Sequence, residues 1–129
     1  MNILLIEDNV TWQKVIKEQL EGIGNITSVK SYKGAQKALR DLNWDLIICD
    51  HHILFWEEEN SNKRGFGNNV YSDYSRHYQR QGLEKIPFIH YSSEPCPNEY
   101  RTKGDNKFYS FHKKEGFDLR SKIVNIIQE

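Results

Sequence analysis

Residues 45–53 read Asp45-Leu46-Ile47-Ile48-Cys49-Asp50-His51-His52-Ile53. An unbroken apolar run, Leu46 to Cys49, ends abruptly in a carboxylate and two imidazoles. Apolar residues at every position, not every second one, mark a strand buried on both faces, as in a parallel sheet. Parallel sheets bind ligands beyond the carboxyl ends of their strands. Asp50 is therefore expected at such an end, where a carboxylate can do chemistry.

The surrounding pattern supports that sheet. Ile3 to Ile6 is a second short apolar run, followed by Glu7, Asp8 and Asn9. From Val10 the period becomes helical: Trp12, Val15, Ile16, Leu20 and Ile23 share one face. Asp8 or Asn9 can cap this helix, and Gly22 or Gly24 can end it. Ile26 to Val29 reads as a strand. Ser31 precedes a short helix with the stripe Ala35, Ala38, Leu39 and Leu42. The alternation of strand and amphipathic helix up to Asp50 predicts an α/β sheet with helices on both faces.

Residues 53–69 have no period and are expected to form a long loop. It holds Phe55-Trp56, the acids Glu57, Glu58 and Glu59, and the pair Lys63-Arg64. Phe55 and Trp56 either pack locally or present an anchor to a partner. Val70, Tyr71, Tyr74, His77 and Tyr78 then share a helical face. Ile86 to Tyr91 reads as a strand with Pro87 near its start, and Ser92-Ser93 follows. Residues 95–104, with Pro95 and Pro97, allow at most a short helix. Lys107 to His112 is the last strand and leads to Lys113 and Lys114. Asp118 can cap a final helix carrying Leu119, Ile123, Ile126 and Ile127.

The chain has 129 residues, the size of one ordinary domain. Eighteen basic residues balance eighteen acidic ones, which argues against nucleic acid as the main partner. The mean hydropathy of -0.78 and the lack of a long apolar run argue against a membrane span. Cys49 and Cys96 are poorly placed for a disulfide, and a reducing, cytoplasmic setting is expected.

Glu7, Asp8 and Asp50 would gather at one edge of the sheet, with Ser92 or Ser93 and Lys113 or Lys114 from the later strands. Crowded carboxylates repel unless a cation joins them. Mg²⁺ suits an oxygen-rich site that leaves it several waters. A hydroxyl and an ammonium could then hold a phosphoryl group, and a carboxylate could attack phosphorus to form an acyl phosphate. The two imidazoles would flank this pocket, and a transition-metal site is a second use for them. Asp50-His51-His52 also spells a phosphoesterase motif, but those enzymes need a second domain that this length does not hold.

The segments 3–9, 45–50 and 87–93, with a lysine after the last strand, resemble the response-regulator receiver domain of two-component signalling. The resemblance spans nearly the whole chain and is strongest from Met1 to Asp50. It implies a flavodoxin-like, doubly wound five-stranded parallel sheet of order 2-1-3-4-5, with a long loop after the third strand and a short fourth helix. It implies Asp50 as phosphoacceptor, Asp8 as a metal ligand, Glu7 acting through water, and the backbone carbonyl of His52 as a further ligand. Ser92 matches the hydroxyl that binds the phosphoryl group, and Lys113 the lysine that pairs with it. Tyr109 or Phe111 would be the switch aromatic. The chain departs from the family pattern in lacking a proline turn after Asp50, in the longer 55–69 stretch, and in having Lys114 rather than proline after Lys113. The expectation is a single receiver domain over residues 1–129 without an output domain. It would be phosphorylated by a histidine kinase or histidine phosphotransfer protein, and would act on a downstream protein. It would not be an enzyme beyond promoting its own phosphorylation and dephosphorylation. A pseudo-receiver working without phosphorylation and a small Mg²⁺-dependent phosphatase are the alternatives.

Overall fold

The computed structural model describes residues 1–41, 43–57 and 63–128. The expected stripe residue Leu42 and the loop residues Glu58 to Asn62 lie outside them.

Five parallel strands form the main sheet: β1 (Asn2–Ile6), β2 (Asn25–Val29), β3 (Leu46–Cys49), β6 (Phe88–Ser92) and β7 (Phe108–His112). Their order is β2-β1-β3-β6-β7, which is 2-1-3-4-5 counted within this sheet. The central strands carry apolar residues at consecutive positions because both faces are covered. Ile3, Leu4, Leu5 and Ile6 are all at most 1% exposed, each worth roughly 1.5–3 kcal/mol of burial. Leu4, Ile6, Ile47 and Phe88 meet α2 (Tyr32–Ala38) and α3 (Gly67–Arg80) on one face. Ile3, Leu5, Ile48 and Ile89 meet α1 (Val10–Gln19) and α4 (Leu119–Ile127) on the other. The caps fall where hydrogen-bonding side chains precede the helices. Asn9 accepts from the Trp12 amide at 3.0 Å, Ser31 from Gly34 at 2.9 Å, and Asp118 from Ser121 at 3.0 Å. Strand β6 starts at Phe88 because Pro87 has no amide to donate, although its carbonyl still accepts from Ile47 at 3.0 Å.

Two segments differ from the sequence reading. The long loop after β3 is partly a hairpin, β4 (His52–Leu54) against β5 (Arg64–Phe66), with Ile53 opposite Gly65. Three-residue strands are too short to show an alternation. Gly65 makes the close approach possible, since a Cβ there would lie 2.7 Å from the Tyr32 Cβ and 2.9 Å from the Leu54 carbonyl. The Leu54 amide donates to the Lys30 carbonyl at 3.3 Å and the Lys33 amide to Phe55 at 3.0 Å, tying the hairpin to the end of β2 and the start of α2. Phe55 packs on Tyr32, while Trp56 stays 45% exposed with the Lys33 ammonium 5.3 Å from its ring.

The second difference lies between β6 and β7, where turns replace the expected short fourth helix. Pro95 and Pro97 fix their φ angles and remove donors. Tyr100 fills the space instead, 7% exposed, its ring packed on His90, Tyr71 and Phe108. Asp105 anchors the segment to Lys85 at 3.3 Å. Among the described residues no helix is long and apolar enough to cross a membrane.

Candidate functional site

Parallel register decides what meets at the carboxyl edge. Ile6 pairs with Cys49, so the next residues, Glu7 and Asp50, emerge side by side. Ser92 pairs with His112, which places Lys113 at the same edge, and the Lys113 amide donates to the Ser92 carbonyl at 2.7 Å. The Lys113 ammonium then reaches between the acids. It donates to Glu7 Oε1 and, at 3.0 Å, to Asp50 Oδ2. It also lies 4.9 Å from the Trp12 ring centre, so α1 forms an aromatic wall beside it. Glu7 is 1% exposed and Lys113 6%, whereas Lys114 and Ser93 are exposed. Of each candidate pair, Lys113 and Ser92 are thus the buried members at the acidic edge. Ser92 is 2% exposed and its Oγ accepts from the Glu94 amide at 3.2 Å.

One oxygen each from Glu7, Asp8 and Asp50 lies within 4.8 Å of the others. Asp50 Oδ1 accepts from the His51 amide at 2.7 Å, and Glu7 Oε2 from the Asn9 amide at 3.2 Å. Burial lifts the Glu7 carboxyl to about 7; the Asp50 charge adds to the rise and Lys113 offsets part of it. Asp8 is also raised, first by burial and then by Asp50, against the pull of Arg64. Burial is the larger cause at both acids, and repulsion from Asp50 adds to it. Three carboxylates face two cations, Lys113 and Arg64, the latter 3.7 Å from Asp8 Oδ2. The donor set is all oxygen and among the described residues includes no imidazole, which fits Mg²⁺ and not the transition-metal reading.

The two imidazoles leave the acids. His52 turns to the surface and meets Glu94 at 2.8 Å. His51 is buried among Phe66, His90 and Tyr100. The His51 carbonyl accepts from Gly67 at 2.7 Å, and the Phe55 amide donates to Lys63. His51 and Phe55, on either side of β4, thus bond toward the β5 strand, and strand alternation turns the His52 carbonyl to the opposite side, the side on which the Leu54 amide meets Lys30. Tyr109 and Phe111 both pack on the α1/α4 face, together with Phe117.

Sequence reasoning missed Arg64 and the polar layer behind Asp50. The only trace of Arg64 was a basic pair in the stretch after the acids. His90 is fully buried and shares a hydrogen bond of 2.8 Å with Ser110 Oγ. Its value falls to about 4, chiefly through burial and then through the neighbouring His51. Nothing in the apolar run around His90 foretold that partner, which is set by the β6–β7 register.

No family model matches the sequence, and no curated protein matches it. Solved structures do. A CheY-like response-regulator receiver domain from Methylobacillus flagellatus is 18% identical with a TM-score of 0.64, over 100% of this chain and 98% of that one. A response-regulator receiver protein from Sinorhizobium medicae is 15% identical, with a TM-score of 0.69 over 99% and 91%. The receiver domain of a histidine kinase from Arabidopsis thaliana, solved with Mg²⁺ and BeF3⁻, is 17% identical, with a TM-score of 0.69 over 99% and 90%. With the same sheet order and matches over the full length, this chain has the fold of the CheY-like response-regulator receiver domains.

Proposed function

We propose that the protein is a receiver that takes a phosphoryl group on Asp50 from a phosphohistidine donor, a histidine kinase or a histidine phosphotransfer protein. The observation that carries this reading is the Lys113 ammonium bonded to Glu7 and Asp50 beside the three converging carboxylates. Glu7, Asp8, Asp50 and the His52 carbonyl would hold Mg²⁺, which would neutralise charge on the phosphoryl oxygens when bound. Asp50 would supply the attacking oxygen. Lys113 would pair with the transferred group, and Ser92, buried at the adjacent strand end, would donate its hydroxyl hydrogen to a phosphoryl oxygen. The signal would pass by contact with a downstream protein, and the only chemistry would be the receiver's own phosphorylation and hydrolysis. The similarly folded receiver domain from Arabidopsis thaliana, solved with Mg²⁺ and BeF3⁻, supports the reading.

A second reading has its own support. Lys113 and Arg64 already meet all three carboxylates, and the crossover before β7 has turns in place of a helix. That arrangement suits a pseudo-receiver that signals without phosphorylation. Incubation with Mg²⁺ and phosphoramidate, followed by intact mass, separates the two. A labile adduct of one phosphoryl group, absent in Asp50→Asn, is expected. No adduct together with no Mg²⁺ affinity would leave the second reading.

A further inference from the structure

A groove of about 340 Å³ runs between α2 and α3, on the face of the molecule formed by Gln36, Arg40, Asp73, Arg76, His77 and Arg80. Its charge is lopsided. Asp73, its one carboxylate, is already committed: it accepts from the Tyr32 hydroxyl, from Gln36 Nε2 at 3.1 Å and from Arg76 at 2.9 Å. Arg76 is the ion-pair partner that neutralises it. Arg40, just past α2, and Arg80, in the last turn of α3, have no carboxylate partner among the described residues. Two positive charges thus remain uncompensated, one from each wall. The His77 Nε2 in the same lining is buried without a hydrogen-bond partner.

We propose that this groove binds a compact phosphoryl polyanion of the diphosphate class, with Arg40 and Arg80 each gripping one phosphoryl group. A guanidinium presents a planar fork of donors that matches phosphoryl oxygens, and two of them from facing elements suit two linked groups. The size sits at the lower end of small-molecule sites. Among the described residues, Leu39 is the one apolar side chain in the lining, and the His77 imidazole is its one ring. The groove therefore offers no Phe, Tyr or Trp face for stacking a base and little apolar surface for a protein anchor.

The test is a titration of inorganic diphosphate into the full chain in EDTA at low salt, followed by amide chemical shifts. Saturable shifts confined to residues 36–40 and 73–80 are expected, with affinity falling as salt rises. The double variant Arg40→Ala/Arg80→Ala should bind at least tenfold more weakly. Both side chains are exposed, so amide shifts elsewhere should report an unchanged fold. ADP binding as tightly as diphosphate would support a grip on the phosphoryl groups alone. The proposal is overturned by AMP binding more tightly than diphosphate, by shifts centred on Glu7, Asp8, Asp50 and Lys113, or by undiminished binding in the double variant.

Discussion

Replacing Lys113 by Met removes the cation that joins Glu7 and Asp50 and keeps most of the side-chain volume. Removing one partner of a buried ion pair costs about 3–5 kcal/mol, a large share of an ordinary domain's stability. Here the loss should depend on pH, and the direction follows from Glu7. Burial and the Asp50 charge hold Glu7 at about 7 in the folded protein, above its ordinary value of 4.5. An acid raised on folding binds more protons folded than unfolded, so it lowers stability as pH rises between those two values and adds no slope above the upper one. In the wild type that slope ends near pH 7. Lys113 is what pulls the value down, so Lys113→Met moves it higher and carries the slope onward. Between pH 7 and 8 the variant should lose up to about 1.4 kcal/mol more than the wild type, the value of one proton over one pH unit. Urea unfolding in EDTA at both pH values measures this directly. Equal losses at pH 7 and pH 8 would refute the idea that Lys113 holds Glu7 ionised.

His90 gives the opposite linkage. Its folded value of about 4 lies below the ordinary imidazole value of 6.5, so its contribution is complete above pH 6.5 and declines as pH falls toward 4, by up to about 3 kcal/mol. His90→Asn should remove that part of the acid slope in denaturant melts, measured as the difference from wild type; an unchanged slope would count against it. Gly67→Ala should destabilise by about 1–3 kcal/mol, because the new Cβ would fall 2.6 Å from the Asp50 carbonyl and against the Tyr100 hydroxyl. Thermal melts within experimental error of wild type would show that the β5–α3 junction is looser than its geometry. Arg64→Ala should tighten Mg²⁺ binding about fivefold by calorimetry. The exposed pair with Asp8 is worth no more than about 1 kcal/mol, and the cation no longer has to displace it. Unchanged or weaker binding would mean that Arg64 is no competitor there.

The central strands β1 and β3 were legible because burial on both faces forces consecutive apolar residues, and the run Leu46–Cys49 coincides with β3 residue for residue. The acids were legible for a related reason: a charged residue directly after such a run can only stand at the strand's end. The cap at Asp118 was visible because it is local chemistry, and the first helix's cap was narrowed to Asp8 or Asn9, of which Asn9 caps it. Residue pattern alone left Ser92 or Ser93 and Lys113 or Lys114 open, since adjacent residues of one type differ only in which way the pleat turns them; only the family resemblance pointed to Ser92 and Lys113. Hairpin register and the β6–β7 pairing brought Arg64 to Asp8 and Ser110 to His90, contacts between residues far apart in the chain. The sequence alone determined the sheet and the acids at its edge, because periodicity and burial act locally. Only the tertiary structure decided which cations answer those acids, because that depends on how distant strand ends come to lie together.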